Sequence, residues 1–148
     1  MTELNMEFIT AMTRLVFAGV FEKFPAIKFI THHCAGMVPY FEDRIRVHYD
    51  NGLERLGATH FPGLTRPPIE YFRMFYGDTA LNGSSAGLRC GLEFLGEDHL
   101  LFGTDVPFDI TNGTLSVRKT IGAIESLGLS DSSRQKIYEG NARKLLHL

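Results

Sequence analysis

The chain has 148 residues, of which 44% are hydrophobic, so it is long enough and apolar enough for one compact domain with a buried core. Its formal net charge is −2 and its lysines and arginines are scattered, which excludes a nucleic-acid-binding patch, and no apolar run reaches the roughly 18–20 residues of a membrane span. Because residues 1–5 also lack the basic-then-apolar order of a signal peptide, we expect a soluble, cytoplasmic protein that forms one domain over residues 1–148.

Helical and strand patterns alternate along the chain. Apolar residues with helical spacing occupy residues 4–24, and Ser84 is a plausible N-cap for a later helix that Gly96 ends. Short continuous apolar runs predict strands, and the Gly- and Pro-rich residues 57–68 predict a loop. In chain order the predicted elements are helix 4–24, strand 27–31, helix 38–49, strand 75–78, helix 84–95, strand 100–102, helix 115–127 and a helical region from residue 130 onward.

This alternation predicts an α/β fold in which parallel strands are joined by right-handed crossovers. The continuous apolar strands favour a sheet that is covered on both faces. Three strands are fewer than half of the eight in a (β/α)₈, or TIM, barrel, which typically has about 250 residues. A sheet of three parallel strands would leave two open edges, and open edges favour association with other chains.

Polar side chains follow each predicted strand, where catalytic groups gather in parallel α/β folds. His32 and His33 follow the first strand, Asp78 ends the second and Asp105 follows the third. A carboxylate such as Asp105 can bind a divalent cation, and an imidazole such as His33 can bind it or act as a general base. We expect His33 and Asp105 to end neighbouring strands and to face a common pocket.

Structural roles for the same residues remain open. Asp105 precedes Val-Pro and also fits a loop or cap residue, and Asp78 follows a glycine and also fits a turn. His32 and His33 are neighbours, so on an extended strand they point to opposite faces and at most one of them enters the site. The other histidines lack metal-ligand spacing and are predicted to be surface groups: His48, His60, His99 and His147.

The two cysteines, Cys34 and Cys90, form no CxxC pair. Two reduced thiols are therefore favoured over a disulfide or a metal site. Cys34 lies beside His33, but neighbouring side chains in a strand diverge, which argues against a nucleophilic Cys–His pair. No motif of a serine hydrolase, P-loop or zincin occurs.

Four segments together resemble one family. Residues 24–40, FPAIKFITHHCAGMVPY, resemble the FPxLKxxxxHxGGxxPY signature around the sixth strand of amidohydrolase-related proteins, a family that includes aminocarboxymuconate-semialdehyde decarboxylase. Residues 75–80 are similar to its seventh-strand segment, 101–108 to its eighth-strand FGTDxPF motif and 140–146 to its C-terminal GNAxxLL motif. The resemblance implies the C-terminal half of a (β/α)₈ barrel, roughly strands six to eight with their helices.

The resemblance also implies roles for three residues. Asp105 would ligate a divalent metal, commonly zinc and alternatively manganese, and carry protons, while His33 would act as acid or base beside that metal. Arg44 would reach towards the carboxylate of a substrate in a partner subunit, although a surface helix arginine fits equally well. The implied activity is that of a decarboxylase or hydrolase on a small carboxylated or cyclic substrate, in which a metal-bound hydroxide attacks.

Two departures from the family pattern matter. Resorcylate-type decarboxylases carry a catalytic glutamate where this chain has Gly36, which favours the aminocarboxymuconate-semialdehyde type or an uncharacterised hydrolase. The family's metal-binding histidines at strands one and five have no counterpart here, and a catalytic zinc needs about three protein ligands. We therefore expect weak or absent metal binding and either a homo-oligomer or a truncated longer enzyme. The alternatives are a non-catalytic barrel fragment stabilised by self-association and a small α/β binding module that shares the motifs only by ancestry.

Overall fold

A computed structural model describes residues 2–148 of the chain and the side chains of residues 7–148. The strands are β1 (Ile30–Thr31), β2 (Tyr76–Asp78) and β3 (Leu100–Leu101). The α-helices are α1 (Thr2–Phe17), α2 (Val20–Lys23), α3 (Glu42–Leu56), α4 (Pro68–Phe72), α5 (Ser85–Leu95), α6 (Thr114–Glu125), α7 (Asp131–Gln135) and α8 (Asn141–Leu146). Short 3₁₀ turns cover His33–Ala35, Ala58–His60 and Glu97–His99, and a π-helical turn covers Lys136–Gly140. Within the described residues, no helix is both long enough and apolar enough to cross a bilayer.

The three strands form one parallel sheet in the order β1-β2-β3. Thr31 pairs with Gly77, and Gly77 pairs in turn with Leu100, so the carboxyl ends of the strands meet at one edge. Helices lie between successive strands in the chain, as right-handed parallel crossovers require. The predicted α/β fold with three parallel strands is confirmed.

The predicted helix over residues 4–24 is two helices, α1 and α2, separated at Gly19. Gly19 has φ 68°, and a Cβ atom there would lie 2.5 Å from the carbonyl oxygen of Gly63. Only glycine permits both the left-handed backbone and this close approach of two chain segments. The loop after α3 is therefore packed directly against the α1–α2 junction.

The helix predicted around Pro39 begins later, at Glu42. Residues 33–36 all have positive φ and form a tight turn directly after β1. Residues in the left-handed region cannot continue into a right-handed helix, so a further turn precedes α3. This turn places His33 and Cys34 against the end of β2, as described below.

The core lies between the sheet and the helices, and aromatic rings dominate one side of it. The ring of Phe21 packs against Phe75 at 5.1 Å and against Phe29 at 5.5 Å between ring centroids. On β1, Thr31 is only 6% exposed, whereas Ile30, which points to the opposite face, is 49% exposed. The prediction that the sheet is covered on both faces is therefore wrong for β1, because among the described residues the helices cover only one of its faces.

Asn141 connects the C-terminal helix to β3. Its buried side-chain amide donates hydrogen bonds to the carbonyl oxygens of Glu97 at 2.7 Å and Leu100 at 2.8 Å. Both carbonyls belong to the segment that enters β3. Asn141 thus fixes the position of α8 relative to the sheet.

Replacing Asn141 by alanine is expected to lower the free energy of unfolding by about 1–3 kcal/mol, because the carbonyl groups of the buried Leu100 and the partly buried Glu97 lose their partner. Urea unfolding of the purified chain measures this loss. Asn51→Ala, at an exposed position of α3, is the matched control and should change the free energy by less than about 0.5 kcal/mol. Equal losses in the two variants would contradict the anchoring role.

Candidate active site

Three polar residues lie at the carboxyl ends of the strands. His33 follows β1, Asp78 is the last residue of β2, and Asp105 follows β3. Since the sheet is parallel, all three lie at the same edge. The expectation that His33 and Asp105 end neighbouring strands is wrong, because β2 lies between their strands. Asp78 therefore occupies the central strand between the two predicted site residues.

The Asp78 carboxylate ties the end of β1 to the end of β2. Its Oδ1 accepts hydrogen bonds from the backbone N–H groups of His33 at 2.8 Å and of Ala80 at 3.0 Å. Its Oδ2 accepts a hydrogen bond from Nδ1 of His32 at 3.0 Å. Asp78 is thus more than a local turn residue, since two of its three partners belong to another strand segment.

The imidazole of His33 is held by the backbone that follows β2. Its Nδ1 lies 2.6 Å from the carbonyl oxygen of Ala80. A carbonyl oxygen can only accept, so the hydrogen of the neutral ring is on Nδ1 and Nε2 carries the basic lone pair. The ring is partly buried and packs edge-on against Phe8, with 5.8 Å between ring centroids.

His32 lies beside His33 rather than on the opposite side of the sheet. The two ring centroids are 6.0 Å apart, and both rings bind residues 78–80. The expectation that these neighbours diverge is wrong, because extended backbone ends at His33, whose φ is 56°. The His32 side chain is 62% exposed, and its ring lies 5.4 Å from that of Phe8 between centroids.

A cavity of about 300 Å³ adjoins His33 on the side of helix α5. Its lining is mostly apolar, with a tyrosine and two cysteines as the polar exceptions besides the histidine. The lining residues are His33, Cys34, Gly36, Met37, Pro39, Tyr40, Leu81, Ala86, Gly87, Cys90 and Gly91. Asp105 is not among them, so this cavity is not the common pocket expected for His33 and Asp105.

Asp105 is exposed and has left-handed backbone with φ 61°. Its carbonyl oxygen accepts the N–H of Phe108, but among the described residues none donates a hydrogen bond to its carboxylate. The carboxylate is therefore available to a ligand. No cluster of three or more His, Cys, Asp or Glu side chains suited to a metal occurs in the described part of the chain.

Sequence reasoning missed Thr79, which joins β2 to the loop that carries Asp105. Its hydroxyl donates to the carbonyl oxygen of Gly103 at 2.9 Å and accepts from the Gly103 N–H at 3.1 Å. This reciprocal pair extends the β2–β3 connection beyond the ladder of the sheet. It fixes the start of the segment that leads to Asp105.

Asp109, also missed, organises the rest of that loop. Its carboxylate accepts hydrogen bonds from the backbone N–H groups of Thr111, Gly113 and Ser116 and from the hydroxyls of Thr111 and Ser116. Bonds to the charged form, those from the Ser116 and Thr111 hydroxyls first, hold the pKa of Asp109 well below its ordinary value. The only signal in the sequence is an Asp two to seven residues before Thr, Gly and Ser.

Asp109→Asn is expected to remove a pH-dependent part of the stability. Because the folded pKa is depressed, the stabilisation is present above the unfolded pKa of about 4 and is lost as the pH falls below it towards the folded pKa. The difference in free energy of unfolding between wild type and variant should therefore be largest near neutral pH and shrink below about pH 4. Urea unfolding at several pH values tests this, and a difference that is constant with pH would contradict it.

Arg44 lies apart from His33. It is exposed on α3 and lines a separate cavity of about 270 Å³, whose other walls include Phe17, Tyr49 and Phe61. The structure does not bring Arg44 together with His33 in one cavity. Its predicted contact with a substrate carboxylate in a partner subunit stays a prediction.

Cys34 and Cys90 are both free, as predicted. Burial, with smaller contributions from the nearby Asp78 and Cys90, raises the pKa of the Cys34 thiol to about 12. The thiol donates instead to the carbonyl oxygen of Asp78 at 3.1 Å. A thiol that stays protonated is a poor nucleophile, so Cys34 is a packing residue.

An α/β fold whose histidine and aspartate side chains gather at the carboxyl ends of parallel strands is typical of barrel enzymes that act at this edge. The chain belongs to the Amidohydrolase family (Amidohydro_2), whose model matches residues 4–148. The resemblance noted in the sequence is thereby confirmed.

Similar proteins include two decarboxylases at nearly equal identity. The chain is 31% identical over 136 residues to a gamma-resorcylate decarboxylase of Polaromonas sp., covering 91% of this chain and 39% of the relative. It is 30% identical over 142 residues to a 2-amino-3-carboxymuconate-6-semialdehyde decarboxylase of Dictyostelium discoideum, covering 96% and 37%. These identities do not separate the two types.

The solved structures that resemble this chain also include decarboxylases. A dihydroxybenzoic acid decarboxylase of Polaromonas sp. with bound manganese and the inhibitor 2-nitroresorcinol matches 97% of this chain and 41% of its own, with a TM-score of 0.80 and 30% identity. A 2,6-dihydroxybenzoate decarboxylase from Rhizobium matches 97% of this chain and 42% of its own, with a TM-score of 0.79 and 26% identity. The chain thus spans about two fifths of the length of these relatives.

Proposed function

We propose that this chain carries the strand-six to strand-eight side of a metal-dependent decarboxylase that acts on a small aromatic or unsaturated carboxylate. Family membership supports the proposal, and so does the similarity to relatives that are named decarboxylases. The observation that carries it is the fixed His33 ring, whose Nδ1–H is bound by Ala80 so that Nε2 is free to exchange a proton.

The side chains present include a suitable type of ligand for a divalent metal but too few such ligands to hold it. Asp105 offers an oxygen with no hydrogen-bond donor from the described residues, and manganese, present in the solved Polaromonas relative, prefers such oxygen ligands. A catalytic metal needs about three protein ligands, and the described residues hold no such group. Asp105 would therefore be one ligand of zinc or manganese, and another part of the complete enzyme would supply the rest. When bound, the cation would polarise the substrate oxygens.

His33 would move the proton of the reaction. In a decarboxylation the bond between the carboxyl group and the ring carbon breaks, carbon dioxide leaves, and a proton replaces it on that carbon. A protonated His33 would deliver this proton from Nε2 and then recover one from solvent. For a hydrolase the same Nε2 would instead accept a proton from water, so carbon dioxide release distinguishes the two reactions.

A fusion tests the proposal: the amino-terminal three fifths of the Polaromonas gamma-resorcylate decarboxylase are joined to this chain. With Mn²⁺ and 2,6-dihydroxybenzoate we expect carbon dioxide release that Asp105→Asn abolishes, and no turnover by the 148-residue chain alone. A folded fusion that binds manganese and releases no carbon dioxide from any aromatic carboxylate offered would contradict the proposal.

The second candidate is a non-catalytic fragment that associates with itself. It is favoured by large apolar side chains that are exposed, among them Ile30 at the β1 edge and Phe108 and Ile110 near Asp105. In this second candidate a homo-oligomer would cover these apolar residues and place Arg44 near a second copy of the chain. Analytical ultracentrifugation of the chain measures its oligomeric state. An oligomeric chain whose fusion neither binds manganese nor releases carbon dioxide would favour this candidate over the decarboxylase.

A further inference from the structure

The Asp78 carboxylate is hydrogen-bonded to both His32 and His33 and is largely buried. Its side chain is only 16% exposed, and its three hydrogen-bond donors are two backbone N–H groups and the Nδ1 of His32. The sequence leaves Asp78 as either a polar strand-end residue or a turn residue, and the resemblance assigns it no role. The pattern of its contacts does assign one.

The Asp78 carboxylate binds both residues of the hydrogen bond that orients the His33 ring, namely His33 and Ala80. Oδ1 binds the N–H of His33 and the N–H of Ala80, and the carbonyl oxygen of Ala80 binds Nδ1 of His33. One oxygen atom therefore fixes the distance between the residue that carries the imidazole and the residue that accepts its hydrogen. Oδ2 meanwhile accepts Nδ1–H of His32.

We propose that Asp78 is a positioning residue that keeps both imidazoles in the Nδ1–H tautomer, directly for His32 and through Ala80 for His33. Both basic Nε2 atoms are then directed away from the residue 78–80 segment. Carboxylates and carbonyls that accept the second N–H of a functional histidine fix its tautomer and ring orientation in the same way. The inference rests on the proposed function only in giving His33 a proton to move.

Two variants separate this role from simple anchoring of the loop. In Asp78→Asn the amide oxygen can keep both backbone N–H bonds, but the amide nitrogen presents hydrogens to His32, where the carboxylate accepted one. His32 must then accept at Nδ1 and carry its hydrogen on Nε2, while His33 stays as it is. Asp78→Ala loses all three bonds, so the His33 ring should also lose its fixed tautomer.

The test is a long-range ¹H–¹⁵N correlation spectrum of the full 148-residue chain with labelled histidines, recorded where the imidazoles are neutral. His32→Gln and His33→Gln assign the signals. We expect Nδ1–H for both rings in the wild type, inversion of His32 alone in Asp78→Asn, and a mixture of tautomers for His33 in Asp78→Ala. Asp109→Asn, which also alters a carboxylate that accepts backbone N–H groups, is the matched control and should leave both tautomers unchanged.

An Nε2–H tautomer of His33 in the wild type would overturn the proposal, as would a folded Asp78→Asn chain in which His32 keeps Nδ1–H. If Asp78→Ala does not fold, Asp78→Asn decides alone. The spectra need no metal or substrate, so they are independent of the decarboxylase assay. Correct tautomers together with an inactive fusion would count against the proposed function and leave the positioning role intact.

Discussion

Replacing Gly91 by alanine is expected to lower the free energy of unfolding by about 3 kcal/mol, near the upper end for overpacking of a core. Gly91 is buried on α5, and a Cβ atom there would lie 2.5 Å from Cβ and 2.9 Å from Sγ of Cys34. Cys34 cannot retreat, since its backbone belongs to the tight turn after β1 and its thiol is bound to Asp78. Helix α5 must therefore move away from the strand ends.

Urea unfolding measures the loss, and Gly122→Ala is its matched control. A Cβ at Gly122, in helix α6, meets no atom within 4 Å, so this variant should gain about 0.5–1 kcal/mol from helix propensity. Cys34→Gly removes the opposing Cβ at a position with φ 52°, where glycine is unstrained. The double variant Cys34→Gly/Gly91→Ala should recover part of the loss, and full additivity of the two changes would contradict the proposed contact.

His33→Gln is expected to lower kcat of the manganese-loaded fusion by about 10²–10⁴-fold, the usual contribution of a positioned acid or base. Glutamine retains hydrogen-bonding capacity but cannot exchange a proton near neutral pH. Carbon dioxide release at saturating 2,6-dihydroxybenzoate measures the change. The loss should appear in kcat more than in KM, because the proton moves in the transition state.

His99→Gln is the control for this prediction. Nδ1 of His99 also lies near a carbonyl oxygen, that of Phe75 at 3.1 Å, but His99 precedes β3 and so lies at the amino end of the sheet. Its replacement should affect stability and leave kcat within about twofold, in line with the division between the two faces of such barrels. A His33→Gln enzyme with more than a tenth of the wild-type kcat would refute the assigned role of His33.

The fold was predictable where local pattern and tertiary structure agree. Ser84, read as an N-cap, accepts the N–H of Gly87, and α5 ends at Leu95, immediately before the predicted stop at Gly96. The strand that ends at Asp78 and the parallel direction of the three strands were also predicted from the alternating pattern, whereas the order of the strands in the sheet was not. These features depend on few residues that are close in sequence.

The site was less predictable because it depends on contacts that are distant in sequence. The break at Gly19 arises from the backbone of Gly63, and the convergence of His32 and His33 arises from a left-handed turn. The family signature has glycine at residues 35 and 36 of that turn, and here Ala35 adopts φ 66° in its place. A pattern of alternating faces assumes extended backbone and fails where that backbone ends.

We propose that His33 and Asp105, which do not share the cavity beside His33, nevertheless belong to one metal-centred site at the carboxyl end of the sheet. Titration of the histidine-labelled chain with Mn²⁺ tests it most directly, since the paramagnetic ion broadens only nearby signals. We predict that the His33 signal broadens well before that of His99 and that Asp105→Asn shifts this broadening to higher Mn²⁺ concentration. Equal broadening of His33 and His99, or a titration that Asp105→Asn leaves unchanged, would contradict the claim.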